Sequence, residues 1–122
     1  MKNLPTNIED TPAQRIADEW EQALALHDGD LIRRAIAVRT RGAYGSDLTM
    51  FAQWATEAGV MPTDVTPKVL RRYAQSLGRA ELAPATVSRK LAALRSMYRS
   101  LREHGQVQAN PAELVSGPKR PQ

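Results

Sequence analysis

Five basic side chains, Arg89, Lys90, Arg95, Arg99 and Arg102, recur along residues 83–102, a stretch that contains no acidic residue. Guanidinium and ammonium groups are hydrogen-bond donors of permanent positive charge, and in such a one-signed array they suit phosphate oxygens. Thr86 and Ser88 precede them, and Ser96 and Ser100 lie between them, adding short hydroxyl donors of the kind that meet a polyanion's backbone. Covalent chemistry finds little support. There is no cysteine, so neither a thiol nucleophile nor a cysteine-based zinc site is available. Tyr44, Tyr73 and Tyr98 fall at apolar helical positions and read as core. Asp18, Glu19 and Glu21 read as an acidic surface without a partner motif. The run His27-Asp28-Gly29-Asp30 reads as a helix stop followed by a new cap rather than a metal site, and His104-Gly105 as a helix C-terminus. No cofactor is expected.

The elements that must position these groups are helical throughout, because no run alternates as a strand does. Thr11-Pro12-Ala13-Gln14 offers an N-cap, a proline at the first helical position and a capping-box glutamine. The helix it opens carries Ile16, Trp20, Ala23 and Leu24 on one face, with Gly29 as its expected stop. Asp30 is expected to cap a second piece bearing Leu31, Ile32, Ala35 and Ile36. Thr40 is expected to cap a helix over about 41–58, with Tyr44, Leu48, Phe51 and Ala55 inward and Gly59 ending it. Thr66-Pro67 repeats the cap-plus-proline start, for a helix with Val69, Leu70, Tyr73 and Leu77 as core face. The basic helix follows, its apolar seam at 87, 91, 94, 98 and 101, and residues 110–115 suggest one more turn. The expected architecture is all-α, a compact bundle of four to five helices. It divides into a disordered lead (1–10), an N-terminal helical arm (11–38), the bundle (39–116) and a linker (117–122).

At 122 residues the chain suffices for one domain with a core. Its formal charge of +4 hides an asymmetry: residues 1–66 hold 6 Lys+Arg against 10 Asp+Glu, and residues 67–122 hold 11 against 3. An acidic half thus carries a basic one. No apolar run approaches the roughly 20 residues that span a bilayer, and the first residues lack a secretory h-region. No membrane partner is therefore expected, and a cytoplasmic location is.

Three segments also resemble a known family. Thr40-Arg41-Gly42-Ala43-Tyr44-Gly45-Ser46-Asp47-Leu48-Thr49-Met50-Phe51-Ala52-Gln53-Trp54 resembles the first core helix of the core-binding domain of tyrosine recombinases (phage integrases and Xer-type enzymes), through its T-x3-Y-x2-D-L-x2-F-x2-W spacing. Residues 83–101 resemble that family's A-P-x-T-V-x-R-x-L-x-A-L-R-x-x-Y helix. Asn110-Pro111-Ala112 and Gly117-Pro118-Lys119 resemble its exit into the catalytic domain. The resemblance covers about residues 38–120. It implies a SAM-like bundle forming half of a clamp on duplex DNA, with the helices beginning at Thr40 and Ala85 against the major groove. Position by position, it implies DNA contacts from Thr40, Arg41 and Ser46 on the first helix and from Thr86, Arg89 and Lys90 on the second. Arg95, on the same basic helix, is a further candidate.

Where the family has a basic residue, this chain has Gly42 or Ala43. The family's catalytic set, which includes a His-x-x-Arg, is also not found, since Asp30 follows His27 and Val107 follows His104 at that spacing. The expected function is therefore duplex-DNA binding for site-specific recombination, by a part that is not itself an enzyme, with the catalytic domain absent. Other recombinase protomers are further expected partners, and no small-molecule substrate is. A stand-alone DNA-binding regulator or architectural protein, and a protein-interaction module docking through the basic helix, remain as alternatives.

Overall fold

A computed structural model describes residues 11–117. The expectations for residues 1–10, and for the linker beyond Gly117, lie outside the described residues. Four α-helices follow one another: α1 (Pro12–Arg33), α2 (Val38–Glu57), α3 (Pro67–Arg79) and α4 (Pro84–Glu103), with one 3₁₀ turn, Pro62–Asp64, between α2 and α3. Among the described residues there is no strand, and no helix is long and apolar enough to cross a membrane.

The helix starts only partly follow the caps read from the sequence. Thr11 Oγ1 accepts from the Gln14 amide at 3.1 Å, and Thr66 Oγ1 from that of Val69 at 3.2 Å, each before a proline. The Gln14 side chain donates onward to Asp18 instead of completing a capping box. Thr40 is not a cap. Helix α2 starts three residues earlier than expected, at Val38 after Ala37, and α4 starts at Pro84 after Ala83; neither start has a side-chain cap. Thr40 and Thr86 therefore sit inside the first turns.

Gly29 does not stop α1. The face that buries Trp20, Ala23 and His27 continues to Leu31. A glycine inside a helix costs about 1 kcal/mol, less than the roughly 1.5–3 kcal/mol from fully burying a leucine side chain. Asp30 accordingly caps nothing, and Ile32 is left largely exposed.

All four helices end alike, with the paired backbone bonds of a Schellman motif. At the end of α1, Ile36 N donates to Leu31 O and Ala35 N to Ile32 O; the same pairs recur at Val60/Ala55, Leu82/Leu77 and Gln106/Leu101. The residue at the left-handed position is Gly59 after α2 and Gly105 after α4, but Ala35 after α1 (φ 58°) and Glu81 after α3 (φ 60°). At those last two ends no glycine occupies the left-handed position.

Helix α1 packs on both α2 and α4, so residues 12–33 close the bundle. Trp20 is buried edge-on against Phe51, with ring centroids 5.3 Å apart, and Phe51 meets Tyr73 at 4.8 Å. The polar ends of two core aromatics hold the α2–α3 connection: Trp20 Nε1 donates to Val60 O at 2.9 Å and Tyr98 Oη to Pro62 O at 2.7 Å. Helix α4 is the central element, burying Val87, Leu91, Leu94, Met97, Tyr98 and Leu101. After it the chain doubles back along α4 in successive turns rather than a helix, burying Ala112 and Val115. Gly117 ends so close to α4 that a Cβ there would lie 2.7 Å from Ser88 Oγ.

Candidate nucleic-acid interface

The site begins with Asp47. On α2 it lies within the turn that presents Tyr44, Leu48 and Phe51 inward, so its carboxylate is drawn into the α2–α4 contact. There it receives three donors. Arg89 Nε and Nη2 reach its two oxygens at 2.9 and 3.0 Å, and Lys90 Nζ donates to Oδ1 at 3.1 Å. Asp47 and Lys90 are enclosed, their side chains 4% and 5% exposed, whereas that of Arg89 is 56% exposed. Burial works to raise the Asp47 pKa, but the hydrogen bonds from Arg89 and Lys90, with their charges, outweigh it and hold the carboxyl below its ordinary value. The outcome is a fixed fork: a bidentate arginine, locked by its neighbour, at the open edge of the α2–α4 seam.

The other candidate residues divide between this edge and the interior framework. Thr40 and Ser46 are exposed on α2, and Thr86 is half-buried in the first turn of α4. Arg41 lies on the opposite flank of α2, turned to α1, where Nε and Nη2 donate to Asp28 at 3.0 and 2.9 Å. That bond lowers the pKa of Asp28 and raises that of Arg41. Arg95 holds the returning chain, donating to Ala112 O at 3.2 Å and Val115 O at 2.7 Å, while Asn110 Nδ2 caps Arg95 O at 3.1 Å. Further along α4, Arg99 pairs with Glu103 and Arg102 with Glu113. All five cations of α4 thus have partners inside the chain, and Arg89 is the one that joins a bidentate pairing to a buried carboxylate with exposure at the seam edge.

Behind the seam, His27 is buried against Tyr44 and shares a 2.8 Å hydrogen bond with Ser96 Oγ. Burial depresses its pKa below the ordinary imidazole value, against the opposing pull of Asp28 and Asp30. Asp30 is held by His104, Ser100 and Arg33; burial opposes ionisation there too, yet these bonds bring its pKa down to about 2. His104 is thus both the C-cap of α4 and a clasp to α1. Among the described residues no group of three His, Asp or Glu is placed to hold a metal ion.

Asp47 and the His27–Ser96 bond went unassigned from sequence. The signal for Asp47 was available: a carboxylate between apolar positions of one helix, in a protein whose residues 83–102 carry five cations and no acidic residue.

Comparison with known proteins agrees with this architecture. Residues 26–105 match the model of the phage integrase N-terminal SAM-like domain. Over 92 residues the chain is 45% identical to a tyrosine recombinase XerC of Pelobacter propionicus, an alignment covering 73% of this chain and 30% of that protein. It is 31% identical over 88 residues to a tyrosine recombinase XerD of Chlorobaculum tepidum, covering 72% and 29%, and 33% identical over 88 residues to one of Caulobacter vibrioides, covering the same shares. The chain thus spans about 30% of the length of these relatives. No solved structure gives a significant match. With four helices, no strand among the described residues, and a family match over most of its length, the chain belongs to the phage integrase N-terminal SAM-like domain family.

Proposed function

We propose that this chain binds duplex DNA as the core-binding part of a tyrosine recombinase, and that strand cleavage and joining belong to the portion of its relatives outside the match. The observation that carries the reading is the Arg89 fork. An arginine held bidentate by a buried carboxylate, yet more than half exposed at the α2–α4 edge, is pre-organised to meet a phosphate or a base edge at little entropic cost. Half-buried Thr86 in the first turn of α4 and exposed Thr40 and Ser46 on α2 would add short donors of the kind that position a protein on the DNA backbone. Lys90, Arg41 and Arg95 act through the residues they hold: Lys90 completes the Asp47 cluster, Arg41 ties α2 to α1, and Arg95 anchors the returning chain. Other recombinase protomers bound to the same DNA are the further partners of this reading.

The test is fluorescence anisotropy on a labelled random-sequence duplex, titrated with salt between about 50 and 200 mM, where each neutralised phosphate contributes about 0.9 to the log–log slope. Binding should weaken steeply with salt, and Arg89→Ala should weaken it on every duplex while leaving the fold intact. Flat, negligible binding at the lowest salt would refute the function. Unchanged affinity in Arg89→Ala would refute the choice of edge.

A further inference from the structure

Helix α3 carries a second surface that this reading does not use. Lys68, Arg71, Arg72 and Arg79 are all exposed on it, with exposed Gln75 among them, and the helix contains no acidic residue. At about 100° per residue the five positions fall within one stripe about 100° wide, opposite the buried Leu70, Tyr73 and Leu77. Among the described residues none of the four cations makes an ion pair. The contrast with α4 is direct, since there Lys90, Arg95, Arg99 and Arg102 are engaged within the chain. The acidic residue nearest in sequence, Glu81, lies beyond the helix end.

We infer that the α3 stripe is a phosphate-binding track for duplex DNA, additional to the α2–α4 edge; the inference rests on the DNA-binding reading and deepens it. Two observations favour a nucleic-acid backbone over an acidic protein. A protein-docking surface has an apolar or aromatic centre, but the exposed large apolar residues, Ile32, Val38, Met50 and Leu114, all lie off α3. From Lys68 to Arg79 the cations also extend over about 16 Å of rigid helix, at 1.5 Å per residue. Charge that is one-signed, unneutralised and linear matches a strand of regularly spaced phosphates. It also supplies what the α2–α4 edge lacks, because one forked arginine gives orientation but little of the salt-dependent affinity.

The test compares the full chain with a variant carrying Lys68→Gln, Arg71→Gln, Arg72→Gln and Arg79→Gln, using the same labelled duplex and salt series. Circular dichroism should show equal helicity, since every changed side chain is exposed. The log–log salt slope should become shallower by about 2–4 and affinity should fall at least about tenfold near physiological salt. A companion with the three arginines changed to lysine should keep most of the slope, because charge is retained. Equal slopes and affinities for wild type and the glutamine variant would overturn the track and leave the α2–α4 reading standing. Loss of slope in the lysine companion would also overturn it. No salt-sensitive binding by the wild type would remove both readings.

Discussion

Asp47→Ala is the substitution that most directly probes the α2–α4 seam. It removes the one carboxylate that compensates Lys90, whose side chain is 5% exposed. An ammonium left buried and unpaired costs about 3–5 kcal/mol. The outer half of the cluster contributes far less, because Arg89 is 56% exposed and water screens the pair. Domains of this size are stable by about 5–15 kcal/mol in total, so Asp47→Ala removes a large fraction. Trp20 and Trp54, one buried and one half-buried in the core, report unfolding by fluorescence. With a urea slope of about 1–3 kcal/mol per molar, the midpoint should fall by at least about 1 M. Arg89→Ala should unfold close to the wild-type midpoint in the same assay, because water screens an exposed pair, which is what makes it a clean probe of binding. The double variant Asp47→Leu/Lys90→Met, which replaces the buried pair by apolar groups, should recover most of the loss. A loss below about 1 kcal/mol for Asp47→Ala, or a double variant no more stable than the single one, would refute the account of the seam as a buried ion pair.

Two further outcomes concern the framework. Ala35 takes the left-handed position after α1, at φ 58° and exposed, so Ala35→Gly should relieve backbone strain and stabilise the protein by about 0.5–1 kcal/mol in urea denaturation; destabilisation would mean that the α1–α2 turn is not held as described. Acid should weaken the fold in two stages. His27 has its pKa lowered in the folded state, so it opposes folding once the pH falls below the ordinary imidazole value near 6.5. Asp30 and Asp47 have lowered pKa values, so their contribution is present above the ordinary carboxylate value and is lost as pH falls through the folded pKa, about 2 for Asp30. Thermal melts of wild type and His27→Gln across this range check the sign: wild type should lose stability first between about pH 6.5 and 5, and the variant should not.

Periodicity alone carried most of the fold. The faces 20–23, 48–51–55, 70–73–77 and 87–91–94–98–101 are those the bundle buries, because a 3.6-residue repeat leaves an apolar stripe no other way to leave water. Thr11 and Thr66 were legible because their capping bonds are local. Other boundaries were not. Gly29 and Thr40 carried local stop and start signals that were overruled by the gain from burying Leu31 and by a turn built on Ala35, neither of which a short window reveals.

The candidate site divides in the same way. The amino-acid sequence by itself determined how much positive charge the chain carries, and that it is concentrated in residues 67–122. Only the tertiary structure decided which of that charge is compensated. Asp47 lies 42 residues from Arg89 in sequence, Arg95 is 17 residues from Ala112, and Arg102 meets Glu113 on the returning chain. Partners that far apart in sequence meet only through packing, so every cation of α4 finds one inside the chain, whereas among the described residues the four cations of α3 make no ion pair.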